Sequence, residues 1–330
     1  MLEHIAAAAL FASLLFYVLT AGADFGGGFW DLVASGERAP AQRKLVSDAI
    51  GPVWEANHVW LILALVLLFT AFPPALALIA TKLHAPLTLL MFGIVFRGAA
   101  FTFRHYSPPG EGMRWQLVFA IASLISPVIL GIVVGAAISG NIERWLAPFP
   151  IAVGVWTLAL FAYLAAAYLA VEAKGGPLRD DFARRGIAAG IGVVLLGAVV
   201  FVLAKDGAPH VWRGLEGRRW AWSIPTATGL DGALALVMLV RRRVVLARLL
   251  VALEIFLILL GWACAQYPIL VSPNITIIEA HAPESTLLMI DVAIGLGAFL
   301  LFPSLGYLFY VFKGEEAFSV VDHPSIQERR

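Results

Sequence analysis

The chain has 330 residues, of which 61% are hydrophobic and 14% charged, with ten Trp and twenty-one Phe, a balance outside the range of soluble domains. Its net charge is +1, and no basic stripe interleaved with aromatics stands away from the segment ends, which excludes a nucleic-acid-binding protein. The composition is that of an integral membrane protein.

A helix that crosses a bilayer needs roughly 20 mainly apolar residues. Nine such segments follow one another, at about 5–22, 57–81, 85–103, 116–139, 148–171, 186–204, 222–240, 246–267 and 286–312; the seventh has the weakest signal. They lack the period-two alternation of barrel strands, and lipid offers no water to bare backbone groups. The expected fold is therefore all-α, a polytopic membrane helical bundle with almost no strand. The polar stretches 23–56, 205–221 and 313–330 are too short to bury a core, so 1–330 reads as a single transmembrane domain. Ala21-Gly22-Ala23 resembles a signal-peptide cleavage site, but Glu3 and His4 replace the usual basic start and Ile5–Ala23 is longer than a signal core. The first segment is expected to be a mature helix.

Basic residues set the orientation. With the N-terminus outside, the cytoplasmic side holds Arg38, Arg43, Lys44, Arg104, Arg114, Lys174, Arg179, Arg184, Arg185, Arg241, Arg242, Arg243, Arg248, Lys313, Arg329 and Arg330. The other side holds Lys82, Arg144, Lys205, Arg213, Arg218 and Arg219. That bias predicts an outside N-terminus and a cytoplasmic C-terminus, which needs an odd number of spans.

Ionisable groups within membrane segments are expensive and therefore candidates for function. Gly22-Ala23-Asp24-Phe25-Gly26-Gly27-Gly28 follows the first segment. It lacks the Lys and the strand of a phosphate-binding loop, and its glycines suggest a tight turn that ends the helix or a place of close helix approach. Next, Gly51-Pro52-Val53-Trp54-Glu55-Ala56-Asn57-His58-Val59-Trp60-Leu61 puts Glu55 and His58 one turn apart on one helix face. A Glu-x-x-His pair is half of a di-iron carboxylate site, and no second pair exists to complete it. Two readings of Glu55 stay open: a proton carrier, since desolvation lets a carboxyl exchange protons near neutrality, or a cap at the positive end of a helix. His58 has no second histidine at similar depth to complete a haem pair, so no haem or metal is expected on this chain, and an interhelical hydrogen bond is its ordinary role.

Arg97 lies inside the third segment and requires a partner. Asp231, Glu254 and Asp291 are ordinarily explained by pairing too, but no basic residue lies one turn from Glu254, which makes it a further proton-pathway candidate. On the fourth segment Gly131, Gly135 and Ala136 form a small-residue face suited to close packing against a second subunit. Cys264, the one cysteine, can form no intrachain disulfide and is expected to pack in the core.

Taken together, these tracts resemble subunit II of the cytochrome bd-type quinol oxidases. Ala21-Gly22-Ala23-Asp24-Phe25-Gly26 is similar to the family's Asp-Gly-Phe-Asp-Leu-Gly after the first helix, and the Gly51–Leu61 tract to its Gly-Pro-Val-Trp-Asp-Gly-Asn-Glu-Val-Trp-Leu. Phe96-Arg97 falls where the third helix of the family carries Phe-Arg. Tyr267-Pro268, Asn274-Ile275-Thr276-Ile277, Ser285-Thr286-Leu287 and the closing Tyr310-Val311-Phe312-Lys313-Gly314 resemble its C-terminal end. The likeness is close over 1–105 and 266–330 and elsewhere rests on helix pattern. Three positions depart: Ala21 stands for the first Asp of the loop motif, Glu55 for the Asp of the second tract and His58 for its Glu. The first two tracts and Phe96-Arg97 make Gly22, Gly26, Trp54, Asn57, Trp60 and Arg97 the structural motif residues.

The resemblance implies nine helices with the N-terminus outside, in the bacterial cytoplasmic membrane. It also implies a haem-bearing subunit I as partner, with haems (b and d, or b only) and quinol held there, lipid around the pair, and reduction of oxygen to water with quinol electrons. A carboxyl at Glu55 fits a proton-path role that the family places there, with His58, Asp24 and Glu254 as further candidates. Two other readings compete: a proton- or cation-coupled transporter lined by Glu55, His58, Asp231 and Glu254, and a purely structural partner subunit.

Overall fold

The structure, a computed structural model, describes residues 1–50, 54–106, 112–173, 176–216 and 222–313. The side chains of Trp54 and Glu55, like the whole of Gly51–Val53, lie outside the described residues.

Helix α1 (Leu2–Leu32) is followed by α2 (Ala39–Ile50), α3 (Trp54–Ala71), α4 (Pro73–Lys82), α5 (His84–Tyr106), α6 (Gly112–Ile138), α7 (Pro148–Glu172) and α8 (Gly176–Gly207). After the short α9 (Pro209–Glu216) come α10 (Ser223–Val240) and α11 (Val244–Gln266). A two-stranded antiparallel hairpin, β1 (Ile269–Val271) and β2 (Ile275–Thr276), pairs Ile269 with Thr276 and Val271 with Ile275. The one-turn α12 (Ile277–Ala280) and then α13 (Glu284–Lys313) close the chain. Thr276 and Glu279 cap α12 reciprocally, each side chain meeting the other's backbone N–H.

Eight of these helices are long and apolar enough to span a membrane, and the bent pair α3–α4 supplies a ninth among the described residues. The expected second span, 57–81, is made of two helices, with a bend of 116° between them. Phe72 leaves the helical region at φ −133° and ψ 56°, because Pro73 follows it and disfavours a helical residue at that position. The break is anchored rather than loose. Phe72 is fully buried, and the Ala71 carbonyl accepts a 2.8 Å hydrogen bond from the backbone N–H of Ala282.

A correction concerns the glycine tract. The helix does not turn after residue 22 but runs on to Leu32, so Asp24, Gly26 and Gly28 are helical and buried. At 31 residues α1 is about 46 Å long, well over the roughly 30 Å of a hydrocarbon core. Glycine costs about 1 kcal/mol in a helix, and the tract offsets this by letting other helices touch the α1 backbone. A Cβ on Gly26 would stand 1.9 Å from the Phe161 carbonyl oxygen of α7, and one on Gly28 would stand 2.2 Å from Ser123 Oγ of α6. Trp30 Nε1 locks the α1–α7 crossing by donating to the Ala162 carbonyl at 2.8 Å.

Core packing is layered along α1. Leu10 meets Leu67, Phe72, Leu83, Val271 and Leu287 at one level. Tyr17 and Phe25 meet Phe161, Tyr163, Leu239 and Val251 at the next. Trp30 meets Val46, Leu169, Phe182 and Val244 at the far end. The expected partner-facing stripe on α6 is a second correction. Gly131 abuts Gly154 and Val153, Gly135 abuts Pro150 and Ala136 is fully buried, so this face serves the α6–α7 contact inside the chain.

Cross-loop pairs agree with alternating crossings. Arg38 donates to Asp181 through two bonds of 2.7 and 2.8 Å, and Arg242 lies 3.1 Å from Asp180; these residues precede α2, begin α8 and precede α11. Lys82 pairs with Glu143, joining the loops after α4 and α6, and holds the exposed Glu143 carboxyl below its ordinary range. Each bridge joins segments that nine alternating spans place on one side.

Two glycine substitutions should move stability in opposite directions. Gly26→Ala forces a Cβ into the α7 backbone and should cost at least the 1–3 kcal/mol typical of overpacking. Gly192→Ala, with nothing within 4 Å of its Cβ position, should gain up to about 1 kcal/mol. Thermal unfolding in detergent measures both; equal midpoints would contradict the close α1–α7 approach.

Candidate functional site

The continued helix α1 carries Tyr17, Asp24 and Asp31 at seven-residue spacing, two turns apart on one face. All three are buried. Against this face α5 presents Arg97, α6 presents Ser123 and Gln116, and α3 presents His58.

Arg97 is the centre of the group. Its Nη2 donates to Asp24 Oδ1 at 2.6 Å and to the Asp24 carbonyl at 3.3 Å, while Nε donates to Ser123 Oγ at 3.0 Å. Both charged side chains are 2% exposed. The rings of Phe25 and Phe119 lie against the guanidinium at 4.7 and 4.9 Å, so its flat faces are covered by π-electrons and its edge by oxygen. The expected partner of Arg97 is therefore Asp24. Deeper along the same face, Gln116 Nε2 donates to Asp31 Oδ2 at 3.4 Å.

His58 sits beside this pair. Its ring is 6.0 Å from that of Tyr17 and 6.2 Å from that of Phe25, edge-on to the latter, and it lies within electrostatic reach of Asp24 and Arg97. The expected interhelical hydrogen bond is not present at Nδ1, which is buried without a partner. Asp24 Oδ2 and Tyr17 Oη are likewise buried and unpartnered. Three atoms able to give or take a hydrogen thus lie buried and unpartnered around one ion pair.

Of the remaining motif residues, Asn57 Nδ2 donates to the Thr20 carbonyl at 3.4 Å and Trp60 stacks on Phe16 at 4.6 Å, both fastening α3 to α1. Gly22 lies against Phe161 and Leu164. Glu55 begins α3 one turn before His58. The structure does not bring Glu254 to this cluster: it lies on α11 with Asp231 of α10. The expectation that the acids at 231, 254 and 291 are paired is corrected, since Asp231 Oδ2, Glu254 Oε2 and both Asp291 carboxylate oxygens are buried with no partner. Tyr17, Ser123 and Asp31 were missed from sequence. The seven-residue spacing on α1 is the signal that would have found two of them, but it exists only if the helix continues through the glycines.

As for haem, His58 is flanked by aromatic rings. Among the described residues no group of three or more His, Cys, Asp and Glu is placed to hold a metal ion.

A bundle of membrane helices built around one buried acid–base pair is the class that fold and site define. The chain belongs to the family described as cytochrome bd terminal oxidase subunit II, which matches residues 2–312. It is 33% identical over 92 residues to cytochrome bd ubiquinol oxidase subunit 2 of Bacillus subtilis, covering 28% of this chain and 27% of that protein. To cytochrome bd-I ubiquinol oxidase subunit 2 of Escherichia coli it is 26% identical over 181 residues, 49% of this chain and 46% of the relative. These matches thus span less than half the length of either relative. A solved structure of bd oxidase from Geobacillus thermodenitrificans superposes with a TM-score of 0.79 at 22% identity, covering 94% of this chain and 98% of that one; it shares the fold.

Removing one member of the buried pair should be costly, because the other is left charged in an apolar setting. Arg97→Gln and Asp24→Asn should each lower stability by about 3–5 kcal/mol, and the double Asp24→Asn/Arg97→Gln should recover part of the summed loss. Unfolding measurements on the singles and the double check this; an additive double would mean that the two side chains do not act as a pair.

Proposed function

We propose that this chain is the haem-free subunit II of a quinol:oxygen oxidoreductase complex in a bacterial cytoplasmic membrane. In this reading all of it forms one membrane domain. It packs against a haem-bearing subunit I, which binds quinol and reduces oxygen to water, while this chain helps deliver the protons consumed. The family match supports the complex. The single observation that carries the proton role is the Asp24–Arg97 pair with unpartnered atoms of Asp24, His58 and Tyr17 beside it, one helical turn from the position of Glu55.

The chain's own groups divide the work. Arg97, fixed by Asp24 and Ser123, keeps a positive charge between α1, α5 and α6 beside His58 and discourages a free cation from following the proton. Glu55, at the start of α3, takes a proton from the aqueous side, and His58, one turn deeper, accepts it at a ring nitrogen and releases it onward. A Glu at 55 keeps the carboxyl that the family has as Asp, on a longer arm. His58 replaces an acid by a group whose neutral form is the acceptor, so the hand-over here is from carboxyl to imidazole.

Orientation follows the basic residues, with the N-terminus outside. A fluorescent reporter fused after Arg330, which fluoresces only when cytoplasmic, should light up; a dark, exported fusion would reverse the proposed direction of proton entry.

Glu55→Gln removes the exchangeable proton and keeps the shape. In the complex purified with its partner it should cut oxygen consumption about 10²-fold, the lower end of what a positioned proton donor contributes, with haem content unchanged. Glu55→Asp should keep most activity. Parental turnover in the Gln variant would make Glu55 a helix cap.

A further inference from the structure

A second polar group lies across the apolar layer from Asp24, where α7, α10 and α11 meet. Asp231 of α10 and Glu254 of α11 are 9% and 5% exposed, and Tyr163 of α7 is 1% exposed. The Glu254 carboxylate lies directly on the α10 backbone: a Cβ on Gly232, the residue after Asp231, would stand 2.8 Å from Oε1 and 3.2 Å from Oε2. The glycine makes that approach possible. The far end of the Tyr163 ring reaches the α8 backbone, with Cζ 3.1 Å from where a Cβ on Gly190 would be, and its hydroxyl interacts electrostatically with both carboxyls.

Asp231 Oδ2, Glu254 Oε2 and Tyr163 Oη are all buried without a hydrogen-bond partner. Among the described residues no cation is bonded to them. Arg248 of α11 is turned to the Tyr168 ring at 5.9 Å. Arg179, Arg184 and Arg185 stand in the first turns of α8, ahead of Gly190, and Arg213 of α9 is occupied with His210. Tyr17 and Asp24 of α1 belong to the Arg97 cluster. Two carboxyls in one dry site do not both stay ionised. With no counter-charge at hand, the smallest ion that can settle the site is a proton.

We propose that Asp231 and Glu254 form a proton-binding site that holds one exchangeable proton between their carboxyls, with the Tyr163 hydroxyl as its third contact. The proposal rests on the reading of this subunit as one that handles protons, and extends it to a site separate from Asp24 and Arg97. Uptake makes an O–H bond on one carboxylate oxygen and breaks one in hydronium, which leaves as water; the pair goes from two negative charges to one. The tyrosine then donates to the oxygen that remains charged.

Infrared pH-difference spectroscopy on the purified complex tests this without turnover. At neutral pH the parental protein should show a protonated-carboxyl C=O band that shifts in D2O. Glu254→Gln and Asp231→Asn should each abolish it, the double variant should remove no more than either single one, and Tyr163→Phe should keep the band but displace it. Glu254→Asp, which retains the acid, should keep it as well. A parental spectrum with no such band, or a band unchanged in both amide variants, would overturn the proposal. Loss of the band when sodium is raised at constant pH would also overturn it, by making this a metal-cation site. Because the band is read at rest, a negative result leaves the oxygen-consumption result at Glu55 standing, and the reverse also holds.

Discussion

The Arg97 charge is the constraint on which the rest of the bundle turns. An arginine at this depth cannot shed its proton and has no water to face, so a fixed anion must come to it from another helix. Asp24 supplies that anion only if α1 stays helical two residues beyond its apolar run and presents position 24 toward α5. Ser123 supplies the second contact only if α6 comes to the same level, which Gly28 permits. One ion pair thereby specifies the mutual height and rotation of three helices. Two phenyl rings then seal it, so the charge that is costly to bury becomes a device that sets register.

The glycines belong to the same logic. A helix that carries a buried carboxylate must be held closely from the other side, and small residues let neighbouring backbones approach when lipid supplies no hydrophobic drive between helices. Gly22 and Gly26 face α7, Gly28 faces α6, and Trp30 ends the stretch with a hydrogen bond to the α7 backbone. Each glycine weakens the helix locally; the tertiary contacts outweigh that loss, and α1 runs straight through the tract.

This explains which features were legible in the sequence. Segment number, the all-α class and the need of Arg97 for a counter-ion follow from solvation, which acts on each residue wherever its neighbours are. What was not legible depends on neighbours. The glycine tract has the composition of a turn and becomes helix because α6 and α7 lie against it. The bend at Phe72 is signalled by Pro73, yet prolines are common within membrane helices, and it is neighbours that hold the break, through burial of Phe72 and the Ala282 hydrogen bond to the Ala71 carbonyl. The small face of α6 could equally have met another subunit; it meets α7 because Gly154 is placed opposite Gly131. His58 was expected to be a satisfied hydrogen-bonding residue, and the site around it is instead aromatic on two sides.

Two buried polar centres therefore flank one apolar layer, and they differ in the one property that governs proton chemistry. At Asp24 the carboxylate has a permanent cation, the Arg97 guanidinium, 2.6 Å away. Its value lies in the fixed field it projects on His58 and on the start of α3. At Glu254 the neighbour is another acid, Asp231, and neither Glu254 Oε2 nor Asp231 Oδ2 has a hydrogen-bond partner. In the proposed reading the subunit uses both kinds of centre: the cation-anchored one orders the helices and repels metal cations, and the acid pair provides the reversible vacancy. Neither could serve as the other, because adding a base beside Glu254 would hold it ionised, and removing Arg97 would leave α1 with an anion and nothing to bring it to α5.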